Sequence, residues 1–386
     1  MYNIKTLNKI AKIGLDKFGC GYNVSDDAAN PDAILVRSAS MHDMDLPESL
    51  LAIARAGAGT NNIPIDKCTQ NGIVVFNTPG ANANAVKELV IAGMLISSRN
   101  VIGGIEWAKS LKGNGDQVGK MVEKGKSQFV GPEISGKKLG VVGLGAIGAL
   151  VANAAAGLGM EVYGYDPFIS VDGAWRLSRS VKHVLNLDDI FTDCDYITVH
   201  VPLTPDTKEL VNAASIAKMK DGVRILNFAR DALVNPSDVL AGIKSGKISA
   251  YVTDFATDEI LGEEGVIVMP HLGASTPESE ENCAVMAAQE VKAYLETGSI
   301  KNSVNLPNID MPKTSAVRFC VIHNNVPTLL NQITAKVGDL GANIETMESK
   351  SRGDYAYTVL DATGNVDGAE AQINDIDGVI RVRVIK

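Results

Sequence analysis

A glycine-rich turn near the middle of the chain has the spacing of a dinucleotide site. Gly143, Gly145 and Gly148 form a GxGxxG pattern between an apolar run (LGVV) and an Ala-rich helical pattern. The first glycine allows a tight turn, the second lets the backbone approach a pyrophosphate, and the third lets the helix pack on the strand. Because the N-terminus of such a helix favours anions, we predict cofactor contacts at Gly143, Gly145, Ala146, Ile147 and Gly148.

An acidic residue at the end of the next predicted strand indicates which dinucleotide binds. Asp166 lies 18 residues past Gly148 (166 − 148), after the run EVYGY. A carboxylate at this place accepts hydrogen bonds from both ribose hydroxyls and repels a 2′-phosphate, which favours NAD over NADP. The alternative is a glycine-rich turn without a ligand, followed by an aspartate that only starts the turn at Asp166-Pro167.

The apolar runs around this turn are short and alternate with helical patterns. Most are continuous, which is typical of parallel strands that are buried on both faces. Strand–helix–strand alternation predicts an α/β fold with doubly wound parallel sheets, one of them a Rossmann NAD-binding domain. The predicted strands cover residues 33–37, 51–56, 72–77, 138–142, 161–165, 196–200, 224–227, 251–254 and 266–269.

Two segments interrupt the alternation. Residues 109–132 are rich in Gly and Lys and predict an exposed arm or linker. Residues 297–314 contain two prolines and predict a connection between domains. The order of elements after this connection is βαββαβ over about seventy residues, which predicts a ferredoxin-like unit.

Composition limits the partners and the compartment. The 386 residues carry a net charge of −9 without a compensating basic block, so we expect no nucleic-acid partner. The five cysteines are odd in number and form no CxxC pair. We therefore expect neither a disulfide framework nor a metal site, and a cytoplasmic location.

One stretch is apolar enough to raise the question of a membrane span. From residue 139 to residue 160, Asn153 is the only polar side chain, and 22 such residues could cross a bilayer. Six of these residues are glycines, which lower helix propensity. A buried strand, a turn and a small-residue helix explain the stretch better, and we expect no membrane partner.

Motifs in a fixed order along nearly the whole chain resemble the D-2-hydroxyacid dehydrogenase family, and within it the members that oxidise D-3-phosphoglycerate. The motifs are VRSA (36–39), RAGAGTNNI (55–63), VFNTPG (75–80), the GxGxxG turn with YDPF (165–168), HVPLT (200–204), NFAR (227–230) and PHLGAST (270–276). The resemblance implies oxidation of a 2-hydroxy acid by NAD. A hydride leaves C2 while a base takes the hydroxyl proton.

The resemblance also implies catalytic roles for three residues. His271 matches the family's acid/base, a task that suits an imidazole near neutral pH. Glu259 matches the glutamate that stabilises the protonated histidine. Arg230 matches the arginine whose planar fork grips the substrate carboxylate. Further cofactor contacts are implied at Pro202, Thr207 and Asp254, the last of them to the nicotinamide amide.

The chain departs from the family pattern beside two of these residues. The family reads L-D-V-F-x-x-E-P around the acidic pair, but here the proline is missing and Asp258 competes with Glu259 as the partner of His271. Arg230 is followed by Asp231 where the family has glycine. The alternative from another class is an NAD(H)-sensing scaffold that lost the reaction, although the arginine, the glutamate and the histidine are all present.

The resemblance places substrate recognition in a discontinuous domain of residues 1–95 and 283–308, beside an NAD-binding domain of residues 96–282. Arg37 matches the arginine that contacts the substrate phosphate, and the loop after Arg55 is expected to hold the carboxylate with its backbone N–H groups. Reduction of 2-oxoglutarate remains an alternative activity. The expected substrate contacts are Arg37, Arg55, Gly57, Ala58, Gly59 and Asn77.

The C-terminal unit, residues 315–386, resembles the regulatory ACT domain. The resemblance implies L-serine as an effector at a dimer interface, with His323, Asn325 and Asn343 as ligands, and a homodimer or homotetramer. Thr328 stands where the family has glycine, which leaves a purely oligomerising role open.

Overall fold

Two sets of apolar runs form two parallel sheets in the computed structural model, which describes all 386 residues. The chain divides into unit 1, Met1–Asn82 with Pro277–Lys386, and unit 2, Ala83–Thr276. The sequence placed the corresponding boundaries at 95/96 and 282/283. Residues 83–95 belong to unit 2 because their helix packs on its sheet, where a Cβ on Gly93 would lie 3.0 Å from the Phe228 ring. The division into three domains stays a prediction.

The first part of unit 1 is a five-stranded parallel sheet in the order β2-β1-β3-β4-β5. The two N-terminal strands lie outside the predicted set, because their residues alternate in polarity and are mostly only half-buried. The elements are β1 (Tyr2–Leu7), α1 (Lys12–Leu15), β2 (Tyr22–Ser25), β3 (Ala33–Val36), β4 (Ala52–Arg55), α2 (Ile65–Gln70) and β5 (Val74–Phe76).

Unit 2 contains a seven-stranded parallel sheet in the order β12-β11-β10-β9-β6-β7-β8. Its helices are α3 (Ala83–Ser98), α4 (Val101–Ser110), α5 (Val118–Gly125), α6 (Ala146–Gly157), α7 (Val171–Trp175), α8 (Leu187–Asp193), α9 (Ala213–Lys218) and α10 (Pro236–Lys244). Its strands are β6 (Lys138–Val142), β7 (Glu161–Tyr165), β8 (Lys182–His183), β9 (Tyr196–Val199), β10 (Val223–Asn227), β11 (Ile248–Thr253) and β12 (Val266–Val268).

Both faces of this sheet are buried, as its continuous apolar strands predict. Val141 and Val142 are neighbours on β6 and belong to different hydrophobic cores, one on each face. The apolar stretch from residue 139 to residue 160 forms β6, a turn and α6, which confirms the interpretation as strand, turn and helix. The predicted arm contains α5, of which no residue is buried.

No single helix of the structure is long and apolar enough to cross a membrane. The pair α3 and α4 reaches the required length and composition only when the two helices are taken together, and it is bent by 65° at its break.

The second part of unit 1 begins with α11 (Pro277–Thr297) and continues with an antiparallel sheet in the order β14-β15-β13-β16. The observed order of elements is the predicted βαββαβ. Helices α12 and α13 cover one face, and on the other face Ile322 and Tyr357 share a core with Val291 of α11. The elements are β13 (Val317–Asn324), α12 (Leu329–Asp339), β14 (Asn343–Arg352), β15 (Tyr355–Thr363), α13 (Ala369–Asn374) and β16 (Val379–Ile385).

Candidate active site

The glycine turn between β6 and α6 has the geometry that its spacing predicts. Gly143 has φ +92°, and a Cβ there would lie 2.7 Å from the His200 carbonyl oxygen. A Cβ on Gly148 would collide with the Gly143 carbonyl oxygen, whereas nothing lies within 4 Å of the Cβ position on Gly145. No side chain caps α6, so the first N–H groups of the helix, at Ala146 and Ile147, are open to an anion.

Asp166 lies directly beside this turn at the end of β7. Its Oδ2 accepts a hydrogen bond from the Leu144 N–H (2.9 Å), and its Oδ1 accepts one from the Phe168 N–H (2.9 Å). A carboxylate has about four acceptor positions. Two of them therefore fix the side chain, and the others remain for ribose hydroxyls.

Three neighbouring strands of the same sheet end in residues that can do chemistry. Arg230 follows β10, Asp254 follows β11 and His271 follows β12. Because all strands of this sheet are parallel, these residues lie at the edge that also carries the glycine turn. This edge is where open α/β sheets bind ligands.

His271 presents its ring to solvent from a strained backbone. The residue has φ +47°, and its N–H donates to the carbonyl oxygens of Met269 (3.0 Å) and Asp254 (3.1 Å). The imidazole is exposed and meets the Phe255 ring edge-on, with 5.3 Å between the centroids. A positive φ is unusual for a residue with a side chain and often marks a functional position.

Asp254 is the buried acid of this group. Its Oδ2 accepts a hydrogen bond from the Gly273 N–H (3.2 Å), and its Oδ1 is buried without a hydrogen-bond partner. Burial raises the pKa of Asp254, and the nearby His271 opposes that rise. An unpaired buried acceptor at this edge fits the carboxamide of a nicotinamide, as the sequence predicts for Asp254.

The two acids that the sequence offers as partners of His271 lie in one turn. Asp258 and Glu259 lie in the exposed turn after β11, where Glu259 Oε1 accepts a hydrogen bond from Ser237 Oγ (2.7 Å). The pairing of His271 with either residue of the turn stays a prediction.

Arg230 is exposed and held at its backbone by a buried amide. Asn227 Nδ2 donates to the Arg230 carbonyl oxygen (2.8 Å), and Asn227 Oδ1 accepts from the Ala229 N–H (3.2 Å). Asn227 is fully buried at the end of β10. Sequence reasoning did not assign it a role, although a polar residue at the end of an apolar strand was a usable signal.

Two further segments follow β9 on the same edge. Burial lowers the pKa of His200 to about 4, and its Nδ1 is buried without a partner while Nε2 lies 2.9 Å from Thr198 Oγ1. Thr207 Oγ1 donates to the Pro202 carbonyl oxygen (2.6 Å), which ties the loop of these two predicted cofactor contacts together.

Within unit 1, the structure brings the predicted substrate residues into one loop cluster. Arg55 Nε donates to the Arg37 carbonyl oxygen (3.1 Å). Gly57 has φ +153°, a backbone conformation that residues with a side chain rarely adopt, so the loop favours glycine here. Asn77 Nδ2 donates to the Ala58 carbonyl oxygen (2.5 Å).

The backbone donors of this loop are fewer than the sequence suggested. The Gly57 N–H donates to the Arg55 carbonyl oxygen (2.8 Å), and it is therefore not free for a substrate carboxylate. The N–H groups of Ala58 and Gly59 have no hydrogen bond within the chain. Arg37 Nη2 lies 2.6 Å from Glu280 Oε1, so a carboxylate of the chain already contacts the predicted phosphate ligand.

The three predicted effector residues do not meet within one chain. His323 is buried, with Nδ1 2.8 Å from the Asn324 carbonyl oxygen and Nε2 2.9 Å from Thr358 Oγ1. Asn325 Nδ2 donates to the Gly353 carbonyl oxygen (3.1 Å). His323 pairs with Ala356, whereas Asn343 pairs with Thr363, seven residues along β15 (363 − 356). That spacing is roughly 23 Å.

No group of three or more His, Cys, Asp or Glu side chains is arranged to hold a metal ion.

Comparison with known proteins identifies relatives for most of the chain. The model of the D-isomer specific 2-hydroxyacid dehydrogenase NAD binding domain matches residues 91–273. A D-3-phosphoglycerate dehydrogenase of Haemophilus influenzae is 32% identical over 352 residues, which cover 87% of this chain and 81% of that protein. One of Synechocystis is 32% identical over 366 residues, which cover 92% of this chain but 62% of the relative. The chain thus spans less than two thirds of that longer relative.

Solved structures resemble the chain over about four fifths of its length. The NAD+-bound 3-phosphoglycerate dehydrogenase of Entamoeba histolytica has a TM-score of 0.59 and 27% identity, covering 79% of this chain and 98% of its own. The D-mandelate dehydrogenase of Rhodotorula graminis has a TM-score of 0.68 at 22% identity, covering 81% of this chain and 99% of its own. The second likeness concerns the fold alone.

Proposed function

Because the chain belongs to the D-isomer specific 2-hydroxyacid dehydrogenase family, we propose that it oxidises D-3-phosphoglycerate to 3-phosphohydroxypyruvate with NAD, the first step of L-serine biosynthesis. One observation carries this proposal most directly. His271, whose imidazole is exposed, donates its N–H to the backbone of Asp254, whose Oδ1 is buried without a partner, at the sheet edge that also holds the glycine turn.

The residues of unit 2 have separate roles in the reaction. NAD, when bound, accepts the hydride that leaves C2. His271 takes the hydroxyl proton onto its ring as the C2 carbonyl forms, and a carboxylate of the turn after β11, Glu259 or Asp258, pairs with the resulting imidazolium. Arg230 binds the substrate carboxylate with its planar fork, and Asn227 holds the backbone of that arginine in place.

The cofactor contacts are supported by the same edge of the sheet. The uncapped start of α6 favours the pyrophosphate, and Asp166 keeps free acceptor positions for the ribose hydroxyls. Asp254 Oδ1 supports recognition of the carboxamide. The half-buried His200 is neutral at physiological pH because desolvation lowers its pKa to about 4, so it adds no charge to the site.

The finer parts of the proposal concern the substrate, the assembly and the compartment. Arg37 binds the substrate phosphate, and the Ala58 and Gly59 N–H groups bind its carboxylate. The exposed apolar side chains of α4, at Val101, Ile102 and Ile105, support a homo-oligomer. The five free cysteines are in keeping with a reducing cytoplasm. L-Serine is the proposed effector of the C-terminal sheet.

A substrate panel tests the function. The purified chain is given NAD with D-3-phosphoglycerate, D-lactate and 2-hydroxyglutarate, and NADH absorbance is followed with and without L-serine. We expect the highest kcat/KM for phosphoglycerate. Equal or higher kcat/KM for an acid without phosphate contradicts the substrate assignment, and absence of turnover on every acid leaves the non-catalytic NAD(H)-sensing alternative.

A further inference from the structure

Arg37 is already occupied by an anion of the chain itself. Its Nη2 lies 2.6 Å from Oε1 of Glu280, and both side chains are about two fifths exposed, at 41% and 42%. Glu280 stands in the first turn of α11. A carboxylate there is favoured by the positive end of the helix dipole, so the pair forms between a helix start and the end of β3.

The backbone on the Arg37 side of this pair is fixed. Arg55 Nε donates to the Arg37 carbonyl oxygen, and the Gly57 N–H donates to the Arg55 carbonyl oxygen. The Arg55 guanidinium lies against Gly57 of the predicted substrate loop. Arg37 follows β3, the strand that pairs with β4, and its own guanidinium contacts Glu280.

Carboxylate and phosphate oxygens are interchangeable acceptors for a guanidinium. The Glu280 carboxylate therefore occupies the place that a substrate phosphate needs on Arg37. Exposed ion pairs contribute little stability, so this pair opens at small cost. The pair has a larger effect on the binding of a phosphorylated substrate. The phosphate dianion has to displace Glu280 from Arg37 and then remains close to the negative charge of Glu280.

We propose that Glu280 is a specificity-determining residue that competes with the distal anion of the substrate for Arg37, and thereby sets the affinity for phosphorylated over unphosphorylated 2-hydroxy acids. The inference deepens the proposed function and rests on it for the identity of the substrate. The discrimination between phosphorylated and unphosphorylated acids then depends on the opening of the ion pair between Arg37 and Glu280, and not on Arg37 alone.

The first test removes the charge and keeps the shape. In E280Q, KM for D-3-phosphoglycerate should fall about tenfold at low salt, since a dianion no longer faces a negative charge at a few ångströms. KM for D-lactate and kcat for both acids should stay within about twofold. The gain should shrink when the ionic strength is raised from 0.01 to 0.5 M, because exposed charges are screened.

A matched variant separates this effect from a general change of charge. Glu278 lies in the same first turn of α11 and is exposed. E278Q should leave both KM values within about twofold. In the background of Arg37→Met, E280Q should lower KM for phosphoglycerate by no more than about twofold, since the competition has lost its target.

A binding measurement distinguishes failure of this inference from failure of the proposed function. Binding of inorganic phosphate to the full chain is followed by 31P NMR titration, which needs no turnover. A tenfold tighter Kd in E280Q than in the wild type and E278Q supports the inference even if phosphoglycerate proves not to be a substrate. Equal Kd values in the three proteins, or equal KM values for phosphoglycerate where it is oxidised, overturn it.

Discussion

Polar side chains are exposed or unpaired at the edge of the parallel sheet of unit 2, whereas the buried ones of the antiparallel sheet at the C-terminus are paired. At the edge of the parallel sheet, His271 and Arg230 are exposed, and Asp254 Oδ1 is buried without a partner. In the antiparallel sheet, Arg318 and Asp361 are fully buried and joined by two hydrogen bonds of 2.7 and 2.8 Å. No unpaired buried side-chain atom lies in residues 317–386.

The difference separates polar groups that are open to a ligand from a structural contact that is complete. Arg318 also donates to the carbonyl oxygens of Thr297, Met311 and Pro312, and Arg383 donates to those of Tyr294 and Leu295. These arginines attach the C-terminal sheet to the end of α11 and to the connection that follows. Buried polar groups are costly unless paired, so an unpaired one points to a ligand or to a proton.

The largest expected effect comes from the exposed histidine of the parallel sheet. His271→Asn should lower kcat by three to four orders of magnitude, about 4–5 kcal/mol of transition-state stabilisation. Asparagine tolerates the positive φ of this position, so the loss is due to the missing imidazole and not to the backbone. Steady-state kinetics measure it, with the exposed His183→Asn as control. A kcat within tenfold of the wild type contradicts the role of His271 as the base.

The sequence predicted the parts of this site that depend on backbone requirements and chain order. A glycine turn between a strand and a helix needs glycine at Gly143 and Gly148 for steric reasons, and residues that follow parallel strands must share one edge. Side-chain pairing depends on rotamers that no spacing specifies. The contacts of Glu259 with Ser237 and of Arg37 with Glu280 were therefore not foreseen. Residues 109–132 predict an exposed arm or linker because few of them are apolar, and α5 within them buries no side chain.

The next largest effect is expected at the buried ion pair between Arg318 and Asp361 in the antiparallel sheet. Asp361→Asn leaves the Arg318 guanidinium buried without its counter-charge, which should lower the free energy of unfolding by about 3–5 kcal/mol. Urea denaturation measures this loss. Glu161→Gln, which breaks the exposed pair with Lys182, should leave the free energy of unfolding nearly unchanged. Similar losses in the two variants would mean that the buried pair is not the main attachment.

Glu290, a buried carboxyl in unit 1, shows that a bound proton can account for an unpaired buried oxygen. Glu290 on α11 has Oε2 unpaired, while Asn302 Nδ2 donates to Oε1 (2.7 Å). Burial raises the pKa of Glu290 from 4.5 to about 8, although Asn302 and Lys301 oppose the rise. At neutral pH this group therefore holds a proton and does not indicate a missing ligand.

Because Glu290 is protonated in the folded chain, the free energy of unfolding depends on pH in a definite direction. Between pH 4.5 and about 8 the folded chain retains a proton that the unfolded chain has lost. The free energy of unfolding therefore falls as the pH rises through this window. Glu290→Gln should remove that slope, so the excess of its free energy of unfolding over that of the wild type should grow from near zero at pH 4.5 to roughly 4 kcal/mol at pH 8. Denaturation at several pH values checks this, with the exposed Glu281→Gln as control. A constant difference at all pH values contradicts it.

The smallest expected effect concerns His323, which is buried in the antiparallel sheet, in contrast to the exposed His271. Burial lowers the pKa of His323, so the folded chain holds it neutral. The stability that this neutral ring provides is present above the ordinary histidine pKa of about 6.5 and is lost as the pH falls below it. His323 Nε2 contacts Thr358 Oγ1, which also lies 2.7 Å from Ser349 Oγ. His323 thus belongs to a paired network inside the sheet.

Removing the hydroxyl partner distinguishes a structural histidine from an effector ligand. Thr358→Val keeps the shape and leaves the ring nitrogen unpaired, which should lower the free energy of unfolding by about 1–2 kcal/mol at pH 7. It should leave kcat and KM unchanged, since His323 does not belong to the catalytic edge. If serine inhibits the wild type and the variant equally, His323 is structural. If inhibition is lost while stability stays constant, the paired network of the C-terminal sheet is itself a ligand site, and complete pairing no longer separates structural groups from functional ones.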